Sequence, residues 1–421
     1  VGLPYITGAA IGAIFAVLLV MSAALTLLPA LLGALGPRID RLSIHRNRRR
    51  PNIESTFAWR WSQMIQRHPA LAGSAAVVVL VVLALPLFAI RIGYSDAGTD
   101  PKPTEPRAAY DLLAQNFGPG AVGPLLLAAQ LPTTSSGTTA LTNLVDQIGH
   151  NPDVAAVVPA RLNPEDDAAV ITVIPKSAPQ AQSTVRLVHS IRRLAAAPAV
   201  TATGLRVLVG GETAASIDSS AHLSDRLAPV IVFVVVLSML LLLVALRSPV
   251  IALKAAVMNL LSTGAAYGVI VATFQWGWLG HGLTNGRTGP IDPWIPVMLF
   301  TILFSLSMDY ELFLMSRVRE HWVRHRDSQA AVTDGLAATA RVITAAAAIM
   351  VCVFASFALS EIRPLRMFGL GMATAVFVDA TLVRMVLVPS VMQLLGRTAW
   401  AMPRWLNRVL PGPHTDGVPE I

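Results

Sequence analysis

Seven stretches of this 421-residue chain are apolar for about 18 residues or more, the length a helix needs to cross a hydrocarbon core of about 30 Å. They cover residues 8–36, 70–90, 229–246, 250–274, 295–316, 343–359 and 367–395. Composition agrees: only 13% of the residues are charged and mean hydropathy is +0.60, which excludes a fully soluble protein. The first stretch is too long for a signal-peptide core, has no basic leader and no initiator Met before it, so it reads as a true span whose upstream sequence is missing. The sole cysteine, Cys352, lies in an apolar run and rules out a disulfide within the chain.

Arginine sets the orientation. The segment 37–68 carries eight of them (38, 41, 46, 48, 49, 50, 60 and 67) against Asp40 and Glu54, and the positive-inside rule places it in the cytoplasm. Alternation then puts 317–341 and the tail after 395 inside, and 91–228 and 275–294 outside. Arg363 and Arg366 fall in a short outer turn and run against the rule. All eight tryptophans (59, 61, 276, 278, 294, 322, 400, 405) lie in loops or at span ends, where an amphipathic ring prefers to sit. Beside a span, the tract 46–50 reads as an orientation signal touching anionic lipid, and nucleic acid is not expected as a partner.

Residues 93–228 differ from the rest, with 12 acidic and 9 basic side chains and a hydrophobic period that alternates between strand and helix. After a helix at 105–116 the predicted order is a strand at 123–130, a helix at 138–149, strands at 154–158 and 169–174, a helix at 182–196 and a strand at 205–209. That βαββαβ order is a split βαβ, or ferredoxin-like, unit. Gly210-Gly211 reads as a strand-to-helix turn, because no Lys-Ser/Thr follows as a phosphate loop requires, and 212–226 reads as a helix entering the third span. His150, His189 and His222 lack ligand spacing. No nucleophile-base or metal-ligand constellation appears, so the chain does not read as an enzyme, and no cofactor or metal is expected.

Ionisable residues inside a span are costly and therefore mark function. In the fifth span Asp309 lies 13 residues beyond Pro296, about 20 Å along the helix, with Tyr310 and Glu311 following. In the last span Asp379 lies 12 residues beyond Met367, at similar depth, and Arg384 follows five residues later. On an α-helix five residues turn about 140°, so Asp379 and Arg384 are expected to pair poorly, and Arg384 is expected to reach Glu311 or Asp309 across the bundle. Ser305 shares a face with Asp309 and is expected to hydrogen-bond it. Asp309 reads as a buried carboxylate beside the Tyr310 phenol; desolvation disfavours the charged form of such a group, and a carboxylate that sheds its charge is what a proton relay requires. Gly264-Ala-Ala-Tyr-Gly268 reads as close helix packing.

These residues closely resemble the MmpL family (mycobacterial membrane protein large) of the resistance-nodulation-division (RND) superfamily. The resemblance is carried by Leu25-Thr-Leu-Leu-Pro-Ala-Leu-Leu32, Tyr110-Asp-Leu-Leu with Phe117-Gly-Pro-Gly120, Arg287-Thr-Gly-Pro-Ile-Asp-Pro-Trp294, Ser307-Met-Asp-Tyr-Glu311 and Asp379-Ala-Thr-Leu-Val-Arg384. It implies an α-helical transmembrane bundle of about seven spans with one α+β ferredoxin-like periplasmic domain, corresponding to the second repeat of an RND transporter. On that reading 1–36 is the last helix of a missing first repeat, 37–69 a cytoplasmic basic linker and 70–90 a span. Residues 91–228 are then the periplasmic porter-like domain, 229–395 a five-helix bundle and 396–421 a cytoplasmic tail.

The resemblance further implies export of cell-envelope lipids or other amphiphiles across the inner membrane, driven by the proton-motive force with protons as coupling ion. Asp309 and Tyr310 would be relay residues, with Ser305, Glu311, Asp379 and Arg384 in support. Its implied partners are the lipid bilayer, the lipid or amphiphile carried, and the missing N-terminal transporter half. A homo-oligomer and accessory envelope proteins are further candidates. Two other readings are a truncated or split fragment that does not transport without its other half, and a lipid- or sterol-sensing receptor built on the same bundle.

Overall fold

The computed structural model describes residues 4–36, 57–132, 135–278, 280, 284, 288–325 and 328–400. The basic tract 37–56, Arg287 and the tail after residue 400 lie outside the described residues. Among those described, seven helices are long and apolar enough to cross a membrane: Ala10–Leu35, Pro69–Ala89, Glu212–Leu246, Pro249–Gln275, Trp294–Trp322, Thr339–Phe357 and Arg363–Leu395. The fourth and seventh are the most enclosed, 78% and 67% of their apolar windows being buried, whereas the first buries none of its own. The bundle is therefore organised around the fourth and seventh spans.

Small side chains explain the fourth span's central place. Where lipid tails are as apolar as leucine, helices associate by close packing, and Gly, Ala, Ser and Thr permit it. Ser262, Thr263, Gly264, Ala265, Ala266 and Gly268 are all buried there. A Cβ on Gly268 would stand 1.9 Å from the carbonyl oxygen of Leu83 in the second span, and one on Gly264 would touch the Ala84 side chain. The glycine pair is thus a helix-packing device, as its spacing suggests. Gly268→Val is expected to force the second span away and lower stability by at least about 1–3 kcal/mol, read as a drop in the thermal midpoint of the purified protein.

The α+β domain is a four-stranded antiparallel sheet of order β2-β3-β1-β4, with β1 at Leu125–Gln130, β2 at Val154–Leu162, β3 at Ala168–Pro175 and β4 at Arg206–Gly210. Helices Ser135–Gly149 and Gln182–Ala195 complete the ferredoxin-like order. Strand alternation sets the core: Leu125, Leu127 and Ala129 of β1 point inward to Ile148, Val188 and Ile191, while Leu126, Ala128 and Gln130 point out. After Gly211, whose φ of 92° suits a residue without Cβ, one unbroken helix of 35 residues runs from the domain through the third span.

The two ends of the bundle collect the segments that alternation assigns to opposite sides. At the domain end, Ile92 bridges Ile291, and Arg363 donates to Ser95 Oγ (3.0 Å), Pro290 O (3.0 Å) and Phe274 O (3.2 Å). Asp292 accepts from the Ser95 amide and hydroxyl at 3.2 and 2.6 Å; burial pushes its carboxyl above the usual range, while Ser95 and Arg363 oppose that rise. At the other end Ser248 Oγ donates to Ala399 O, and Trp322 stacks on Trp400 with ring centroids 5.4 Å apart. Arg363 and Arg366 correct the sequence expectation of a short outer turn. They open the seventh-span helix and are buried, Arg363 tied into the junction and Arg366 donating to the Ser360 carbonyl, rather than standing free as topology signals.

Candidate functional site

Inside the bundle, four charged side chains from three spans meet away from lipid. Lys254 of the fourth span lies 2.7 Å from Glu311 of the fifth, and Arg384 of the seventh lies 3.8 Å from the other Glu311 oxygen and 2.9 Å from Asp379. All four are at least nine-tenths buried. Two cations and two carboxylates balance, which is the condition for keeping charge in a medium where an isolated ion is costly. Ser307 links the spans further: its hydroxyl reaches Asp379 Oδ1 at 3.0 Å and also Asn259 Oδ1, while Arg384 donates to its carbonyl.

The Asp379–Arg384 bond overturns the expectation that these residues pair poorly. That expectation assumed an α-helix, but Asp379–Leu387 is π-helical. Its i→i+5 hydrogen bonding widens the turn and brings residues five apart onto one face. A single change of helix type therefore converts a 140° divergence into a direct ion pair. Of the two interhelix contacts expected for Arg384, the one to Glu311 forms, and no Asp309–Arg384 ion pair occurs among the described residues. The guanidinium also sits 5.1 Å from the centre of the Tyr310 ring, a cation–π arrangement.

Asp309 itself faces the other way. Ser307 and Glu311 point inward, and a residue two positions from each is about 200° round the helix. Asp309 is exposed on the outer surface of the fifth span, in line with Ser305 and Thr301, both also exposed. The expected Ser305–Asp309 hydrogen bond is not formed, and no hydrogen bond to the Asp309 carboxylate occurs among the described residues. Tyr310 lies between the two sides: half-buried, with its hydroxyl directed to the Met350 sulfur at 3.5 Å and its ring against Arg384. The fifth span thus carries a neutralised network on one face and a polar stripe holding a carboxylate on the other.

Sequence reasoning missed Lys254, Asn259 and Ser307. Lys254 lies near the start of its span, where a lysine is ordinarily taken to extend towards water. The other two are uncharged and attract no attention by cost alone. A signal was present, since Lys254 and Asn259 are the only strongly polar side chains in the first half of that span.

At the domain end a cavity of about 1060 Å³ opens between the α+β domain and the bundle. Tyr94, Tyr110, Leu126, Glu212, Ser220 and Ile362 are among its walls, so apolar surface and a few polar groups face the same space at the end of the spans.

The family model described as the MMPL family matches residues 109–412. The chain is 34% identical over 418 residues to membrane protein YdfJ of Bacillus subtilis, covering 99% of this chain and 56% of that protein. It is 34% identical over 415 residues to the mycolic acid-containing lipids exporter MmpL11 of Mycolicibacterium smegmatis, covering 97% of this chain and 43% of that protein. It is 34% identical over 423 residues to the heme uptake protein MmpL11 of Mycobacterium tuberculosis, covering 98% of this chain and 43% of that protein. The chain spans about half the length of the curated relatives it matches.

Proposed function

Since this chain belongs to the MMPL family, we propose that it supplies one half of a proton-coupled transporter of cell-envelope lipids or other amphiphiles. The observation that carries the reading is the exposed carboxylate of Asp309 on a transmembrane helix, set beside a charge network that is already neutral. On insertion scales an aspartate at the centre of a lipid-facing helix costs about 2.5–3.5 kcal/mol. A stripe of Thr301, Ser305 and Asp309 is therefore a surface for a second polar helix, and the relatives' greater length supplies room for one. Between two bundles Asp309 and Tyr310 take and release protons, while Lys254, Glu311, Arg384 and Asp379 hold the fifth and seventh spans in register.

The cavity at the domain end is the entry for cargo. It lies where an amphiphile leaving the outer leaflet would keep its chains against Leu126 and Ile362 and its polar head near Glu212 and Ser220. In a cell membrane with the domain on the periplasmic side, uptake at this cavity and proton entry along the Asp309 face would occur from the same compartment. The names of the relatives span lipid export and heme uptake, and the class common to both is an amphiphile.

The test is transport by vesicles holding the assembled transporter. A fluorescent lipid analogue is expected to move when a pH gradient is imposed and to stop when a protonophore collapses it. Movement at the same rate without a gradient would contradict proton coupling. Binding of the analogue without any movement would favour a lipid-sensing role.

A further inference from the structure

The helix Phe57–Arg67 lies outside the seven spans, yet one bond ties it to the charge network. Trp61 Nε1 donates to the carbonyl of Met385 at 3.1 Å. Met385 follows Arg384 directly and lies within the π-helical segment Asp379–Leu387. The sequence shows why this carbonyl takes a donor from elsewhere. In an α-helix its partner would be the amide of residue 389, but that residue is proline and has no amide hydrogen. An indole N–H donates and cannot accept, so it fits the place without competing for donors. Ile65, one turn further along the same helix, is buried, while Arg60 and Arg67 are exposed. The helix is amphipathic and seated on the bundle by its apolar side.

We propose that Trp61 is a positioning residue for the Asp379–Arg384 pair. By taking the carbonyl that Pro389 leaves without its α-helical partner, it holds the π-helical register in which residues five apart face each other. Without the indole N–H the Met385 carbonyl loses a donor that Pro389 does not replace, the π-helical register loosens, and Asp379 and Arg384 lose the alignment that sets the guanidinium against the Tyr310 ring. A helix outside the spans thereby controls the alignment of the intramembrane charges. The functional consequence rests on the relay reading of Asp309 and Tyr310; the bond itself does not, and the two are tested separately.

The first arm is thermal unfolding of the purified full chain. Trp61→Phe keeps an aromatic ring and loses the donor, and is expected to lower the midpoint by roughly 2–4 °C. Pro389→Ala restores an amide hydrogen four residues after Met385, so Trp61→Phe in that background is expected to cost nothing further. A ring that only packs would cost the same in both backgrounds, and that additive result would overturn the proposal.

The second arm is the pH profile of transport by the assembled transporter. Trp61→Phe is expected to displace the profile at unchanged expression. If Asp309→Asn stops transport while Trp61→Phe keeps the wild-type profile, the positioning role is wrong and the relay stands. If Asp309→Asn transports normally, the relay reading falls, and the thermal cycle still decides whether Trp61 and Pro389 act on one carbonyl.

Discussion

Asp309→Asn, placed in the assembled transporter, is expected to reduce gradient-driven transport by at least about a hundredfold while leaving expression and thermal midpoint close to wild type. The two halves of that statement have separate causes. Asparagine has nearly the shape of aspartate, and the Asp309 side chain is exposed with no hydrogen bond among the described residues, so the fold of this bundle does not rest on it. Substitutions at such positions usually stay within about 0.5 kcal/mol. A carboxamide, however, does not release a proton near neutral pH, and a relay built on it stops. Matched measurement of thermal midpoint and transport rate separates the effects. Equal loss of both would make Asp309 a structural residue.

Arg384→Met is expected to have the opposite balance. Arg384 is held by Asp379, by the Ser307 carbonyl and by Glu311, and it is 2% exposed. Methionine fills much of the space but leaves Asp379 as a buried carboxylate with the Ser307 hydroxyl as its remaining side-chain hydrogen-bond partner among the described residues. Removing one partner of a buried pair costs about 3–5 kcal/mol, because the other charge stays behind. The thermal midpoint of the purified protein should fall sharply. Adding Asp379→Leu should recover a large part of the loss, since replacing both members of such a pair with apolar groups is often near neutral. A double variant as unstable as the sum of the singles would show that the pair does not act as a unit.

Much of the fold is legible in the sequence because membrane spans and the ferredoxin-like order are written in hydropathy and period. The strand at Leu125–Gln130 lies within the one expected at 123–130, and the apolar run after Pro229 continues a helix begun at Glu212. The site is less legible because depth along a span says nothing of direction around it. Counting residues aligned Glu311 with Arg384 correctly, yet the same count placed Asp309 among buried groups, although its position midway between inward-facing Ser307 and Glu311 turns it outward. The Asp379–Arg384 pair was hidden by the assumption of 3.6 residues per turn. Pro389 stands close after that pair in the sequence, but its consequence depends on Trp61, 324 residues away from Met385. Arg363 contradicted the topology rule only while it was taken to face water, whereas three hydrogen bonds hold it in the junction.

In the proposed transporter the Asp309 face of the fifth span carries protons that drive the movement of an amphiphile. The most direct measurement is proton flux into vesicles holding the assembled transporter, recorded with an internal pH dye while a lipid analogue is supplied. The wild-type protein should show flux that depends on the analogue, and Asp309→Asn should show none although its outer cavity still binds the analogue. Proton flux at the wild-type rate through Asp309→Asn would contradict the account.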